Sequence, residues 1–190
     1  MNTAKNLTAT SIFQNMLKAS LVALLLIALN SCSGDDDSSN NTTTPPPTGS
    51  NGVTAPDFSL TSLDNTTVKL SDSPNKVVVI FFFGNECPSC KAAAPKINSD
   101  LYAPYASNAN FKFYGIDQWD GNAAKVQSFK TITGVGFPLL LMGSSVAASY
   151  KTTYDRLVVI DKAGKIAFSG TQGASSDVNA AKAKIDELLK

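Results

Sequence analysis

Histidine is absent from all 190 residues, and with it go the commonest general base and the commonest metal ligand. Ser-His-Asp, Cys-His and histidine-dependent metal mechanisms are therefore excluded. Charge is scarce and balanced, with 16 basic side chains against 15 acidic ones. That near-neutral balance supplies no basic footprint for nucleic acid. Tryptophan occurs once and cysteine three times. The cysteines divide into a lone Cys32 and a close pair, Cys87 and Cys90, which is not the pattern of a disulfide-stapled scaffold. A chain of this length has room for one ordinary domain and no second enzyme domain.

The longest apolar run, Ala19 to Leu29, has eleven residues, whereas a membrane-spanning helix needs about 20. Preceded by a polar stretch with Lys5 and Lys18, it reads as the core of an export signal over residues 1–31. These two lysines are the only charges before position 32, so the processed chain sets 14 basic against 15 acidic side chains. Leu29-Asn30-Ser31-Cys32 resembles a bacterial lipobox; that resemblance implies that Cys32 is the lipid attachment site and membrane anchor. Residues 32–52, which run through an Asp35–Asp37 acid cluster and a Ser/Asn/Thr/Pro-rich stretch, have almost no apolar surface to bury and read as a tether. About 20 flexible residues reach roughly 25 Å. The acid cluster also resembles the surface-export signal of some bacterial lipoproteins, so the expected location is the cell envelope, on the periplasmic face or the outer surface.

From Val53 to Lys190 the pattern alternates strand and helix signals, the mark of an α/β domain. Phe58 and Leu60, then Val68 and Leu70, flank Asp64-Asn65 and predict a leading hairpin. Val77–Phe83 is a continuous β-branched and aromatic run, as expected of a central strand covered on both faces. Phe111–Ile116 predicts a further strand, Ala123–Ile132 a helix, and Phe137–Met142 a short buried piece of unassigned type. Leu157–Ile160 and Lys165–Phe168 flank Asp161-Lys162-Ala163-Gly164 as a hairpin. Val178, Ala181, Ile185 and Leu188 mark one face of a C-terminal helix.

The chemistry is concentrated at Cys87-Pro88-Ser89-Cys90, directly after the central strand. A helix is expected to begin here, with Pro88 at its first position, where a missing N–H costs nothing, and with Pro95 kinking it further on. Cys87 would then sit at the N-cap, where unpaired backbone N–H groups and the helix dipole favour a negative charge and lower the thiol pKa. Cys87 is the expected nucleophile and Cys90, one turn inside, the resolving thiol. A zinc site would need a second Cys pair or a histidine, and neither exists in the chain. A static disulfide remains an alternative, although closing so short a loop stabilises little.

Phe81-Phe82-Phe83-Gly84-Asn85-Glu86-Cys87-Pro88-Ser89-Cys90 resembles the active site of the thioredoxin-like redoxins, particularly the exported TlpA-type and ResA-type thiol-disulfide oxidoreductases, which share a broad domain family with the alkyl hydroperoxide reductases. Ala55-Pro56-Asp57-Phe58 resembles that group's opening motif and Val159-Ile160-Asp161 its late hairpin. The resemblance implies a thioredoxin-like fold, a mixed sheet flanked by helices with an N-terminal hairpin extension. It also implies reduction or isomerisation of disulfides in exported proteins, no cofactor or metal, and an electron donor outside this chain. Phe83 and Glu86 stand where tryptophans often flank this motif, and Asp155 stands where the group usually has a cis-proline; Pro138 lies too far upstream to supply it. Tyr154, Asp155 and Arg156 are thus the expected substrate edge; Arg156 could supply positive charge to a thiolate, although a solvated arginine is the more frequent arrangement.

Other readings are a peroxiredoxin-like peroxidase, which wants a threonine and a proline ahead of a lone cysteine where Gly84-Asn85-Glu86 stands, and a non-catalytic binding lipoprotein. Trp119 and Tyr114 could line a substrate groove beside the site, but aromatics after a strand read more often as core or rim packing; Asp117 and Asp120 read as a turn and a helix cap.

Overall fold

A computed structural model describes residues 52–152, 155–171 and 173–190. The expected export signal, Cys32, most of the tether and Tyr154 lie outside those residues. β1 (Ser59–Thr61) and β2 (Thr67–Lys69) form the leading antiparallel hairpin, whose turn places Asn65 in the left-handed region at φ 56°. β3 (Val77–Phe83) is buried throughout and leads into α1 (Pro88–Ile97). The helix continues through Pro95 and gives way two residues later to a π turn over Asn98–Tyr102. β4 (Phe111–Asp117), α2 (Ala123–Thr133), β5 (Leu139–Leu140), α3 (Ser144–Ser149), β6 (Arg156–Ile160), β7 (Ile166–Ser169) and α4 (Ala174–Leu188) complete the order.

The five-stranded sheet runs β5-β4-β3-β6-β7, with β3 parallel to β4 and antiparallel to β6. Alternation along β3 explains its unbroken apolar run. Val77, Val79, Phe81 and Phe83 join the core beneath α1, α2 and α4, whereas Val78, Ile80 and Phe82 pack towards the hairpin side and α3. On the first face the Phe83 and Phe129 rings stack at 4.3 Å between centroids.

The sheet's two edges are both met by the segment that precedes β3. Thr54 bridges Lys165 beside β7. Residues 61–63 pair with 139–141, through Leu63 N–H to the Leu139 carbonyl and Leu141 N–H to the Thr61 carbonyl. Covering both edges hides backbone groups that would otherwise invite pairing with another chain. The 137–142 segment whose type the pattern left open thus holds the short edge strand β5. Pro138 precedes β5, two elements before β6, and among the described residues no peptide bond is cis. No described helix is long and apolar enough to cross a membrane.

Candidate active site

The cysteine pair lies where the carboxyl end of the central strand turns into a helix, a position that a parallel βαβ crossover leaves open to solvent. Cys87 is the N-cap of α1, with extended backbone (φ −64°, ψ 119°), and Pro88 takes the first helical position. The Cys90 N–H donates to the Cys87 Sγ at 3.3 Å, as an N-cap oxygen would receive it. Ser89 Oγ is 3.1 Å from the same sulfur. Cys87 is half-buried, and both cysteines are free thiols.

Cys90 is 1% exposed and receives the Gly84 N–H on its sulfur at 3.5 Å. Burial is the main influence on its thiol and pushes its pKa well above the ordinary 9.0. The facing Cys87 sulfur pushes it further, the Gly84 N–H opposes the rise, and the negative charge of Asp155 adds to it. The arrangement therefore holds one accessible sulfur at the positive end of a helix, with a second, protonated sulfur directly behind it.

The loop between β3 and Cys87 is anchored from across the sheet by Asp117. The register sets Phe83 beside Asp117, so the ends of both parallel strands meet. The fully buried Asp117 accepts the Asn85 N–H (3.1 Å), the Asn85 side-chain amide on both oxygens (3.1 and 3.0 Å), the Trp119 N–H (3.2 Å) and the Gly121 N–H (2.7 Å). This carboxylate is not the simple turn residue its sequence position implies. Asp120 does cap a helix, by accepting from the Ser144 N–H and hydroxyl at the start of α3. Asn85 was not legible as a functional residue. The available signal was two polar residues at the carboxyl ends of adjacent predicted strands.

Two residues of the expected substrate edge, Asp155 and Arg156, are among the described ones. Asp155 accepts the Ala174 N–H (3.1 Å) and so caps α4, whose N-cap Gly173 has no side chain to do it. Arg156 is a half-buried residue of β6, paired in register with Phe82. The negative charge of Asp155 bears on Cys90, after the closer influence of Cys87. Glu86, beside Cys87 in sequence, turns outward to Lys125 of α2 at 3.4 Å, an exposed pair that contributes little.

The two aromatics take the two expected settings, core and rim. Tyr114 is buried edge-on against Phe58. Trp119 is 55% exposed and lies against Gly84, where an added Cβ would come within 2.5 Å of two indole carbons.

Comparison with known proteins agrees with this picture. The AhpC/TSA family model matches residues 52–169. Thioredoxin-like protein YneN of Bacillus subtilis is 27% identical over 80% of this chain and 88% of its own. A ResA thiol-disulfide oxidoreductase of Bacillus thuringiensis is 28% identical over 60% of this chain, which spans 66% of that relative's length. A solved putative protein disulfide isomerase of Bacteroides thetaiotaomicron is 33% identical, covers 73% of this chain and 89% of its own, and superposes with a TM-score of 0.67. The fold is thioredoxin-like.

Proposed function

This chain belongs to the AhpC/TSA family, and we propose that it works as a thiol-disulfide oxidoreductase that uses Cys87 and Cys90 as its dithiol couple. The observation that carries the reading is the sulfur pair itself, with Cys87 half-buried at a helix N-cap and Cys90 sealed behind it. The Cys87 thiolate attacks a substrate disulfide, forms a mixed disulfide and expels the first substrate sulfur, which takes a proton from water. The Cys90 thiol gives up its proton and attacks the Cys87 sulfur. That step closes the Cys87–Cys90 disulfide and releases the second substrate thiol. Two electrons pass from the protein to the substrate, and an external dithiol donor must return them.

The burial of Cys90 orders the steps. A sealed, protonated second thiol does not compete for substrate and reacts only once Cys87 is tied to a partner. Substrates on this reading are exported proteins, reduced or isomerised in the cell envelope, with the chain tethered through lipid on Cys32.

Insulin reduction with dithiothreitol as donor tests the function. Wild type is expected to accelerate precipitation, and Cys87→Ala to abolish the acceleration. Equal rates in the two proteins would reject the oxidoreductase reading. Steady consumption of hydrogen peroxide at a rate above disulfide exchange would replace it with the peroxidase reading.

A further inference from the structure

The single tryptophan of this chain stands in an unusual setting for a large apolar ring. Trp119 is 55% exposed, yet the loop that carries it is held at every residue. Gln118 N–H donates to the Phe83 carbonyl at 2.9 Å, and Trp119 N–H and Gly121 N–H donate to Asp117. Asp120, at φ 50°, holds Ser144 through both of its oxygens. One side of the indole covers Gly84. Gly84 in turn gives its N–H to the Cys90 sulfur and accepts the Cys87 N–H on its carbonyl at 3.1 Å. A single glycine residue thus separates the ring from both members of the couple, and a side chain at position 84 would drive the ring away. Met142, 57% exposed, is carried on the adjoining loop, where Gly143 N–H donates to the Asp117 carbonyl at 2.8 Å.

An exposed aromatic ring costs solvation, and a rigid loop gives it no way to fold back onto the protein. Rigid presentation is what a binding platform needs, because little ordering entropy remains to be lost when a partner docks. We propose that Trp119 is a specificity-determining residue, the platform on which a polypeptide substrate rests an apolar or aromatic side chain adjacent to the disulfide that Cys87 attacks. The inference rests on the oxidoreductase reading above. It adds the substrate class: cystines flanked by large apolar residues, in segments extended enough to reach from Cys87 to the exposed side of the Trp119 ring, in preference to cystines flanked by glycine or serine.

The test uses two model peptide disulfides that differ only in the residue beside the cystine, phenylalanine or glycine, together with a small polar disulfide, bis(2-hydroxyethyl) disulfide, as a substrate with no flanking chain and no ring. Wild type is expected to react about five- to tenfold faster with the phenylalanine peptide than with the glycine peptide, the range of one aromatic contact. Trp119→Ala is expected to bring the two peptides within twofold of each other while its rate with the small disulfide stays within twofold of wild type. Trp119→Phe is expected to restore part of the preference. Because Trp119 is the chain's only indole, binding is also read without chemistry. In Cys87→Ser, titration with the phenylalanine peptide is expected to shift the emission to the blue, and the glycine peptide to leave it unchanged at the same concentration. A preference retained in Trp119→Ala, or emission indifferent to the phenylalanine peptide, would overturn the platform. Loss of all Cys87-dependent reaction in wild type with the emission shift intact would overturn the redox reading and leave the docking role standing.

Discussion

Replacing Asp117 by asparagine changes one atom and should reach well beyond it. Asp117 Oδ2 accepts the Gly121 N–H at 2.7 Å and the Asn85 amide at 3.0 Å, while Oδ1 holds three further contacts. An asparagine oxygen can replace one of the two carboxylate oxygens; its NH2 then faces donors where an acceptor stood. With the NH2 at the Oδ2 position both contacts there are lost; the Asn85 amide keeps Oδ1, so the net loss is the Gly121 hydrogen bond to a charged group, worth about 1.5–3 kcal/mol, and a buried N–H is left unpaired. Water has no room to substitute, since even a Cβ on Gly121 would lie 2.3 Å from the Asn85 amide nitrogen. The expected loss is about 3 kcal/mol, a large share of the roughly 5–15 kcal/mol that holds a domain together. For a domain of this size that lowers Tm by about 10 °C. Circular dichroism on purified Asp117→Asn and wild type, both reduced, measures the shift. Disulfide exchange should slow in the same variant at temperatures where it is folded, because Asn85 no longer fixes the turn into Cys87. A Tm within about 2 °C of wild type would refute the reasoning and make the network dispensable.

Two further outcomes follow from the charges around the second sulfur. Burial holds the Cys90 pKa above its ordinary 9.0, so above that pH the unfolded chain sheds the proton first and the reduced fold loses stability. Urea titrations should show this contribution intact below pH 8 and falling by at most about 1.4 kcal/mol per unit between pH 9 and 10. Reduced Cys90→Ala should lack that slope, and buried Tyr150, also raised, adds its own above pH 10. Asp155→Asn removes the negative charge that disfavours the Cys90 thiolate but keeps an oxygen for the Ala174 N–H. Closure of the internal disulfide in stopped flow should therefore quicken with little change in Tm, and an unchanged closure rate would mean that the Asp155 charge does not govern the step.

What could be read from the chain alone was whatever a few neighbouring residues encode. The unbroken run Val77–Phe83 announced a strand covered on both faces, and Pro88 one position after Cys87 announced a helix whose first N–H groups meet a sulfur. Both are local: side-chain period, an N-cap, a residue with no N–H. Gly164 at φ 75° closing the Asp161 turn and the spaced apolar residues of α4 belong to the same kind. Asp117, Trp119 and Asp155 could not be read that way, because an aspartate or tryptophan after a strand looks the same whether it meets solvent or a group 32 positions away. Only the parallel register of β3 with β4 puts Asp117 beneath Asn85 and the Trp119 ring over Gly84. Only the placement of β6 ahead of α4 lets Asp155 cap the helix and bear on Cys90. The chain's local chemistry marked the pair proposed to react; packing between distant segments decided what surrounds it, because hydrogen bonds and charge act across space and leave no period in the sequence.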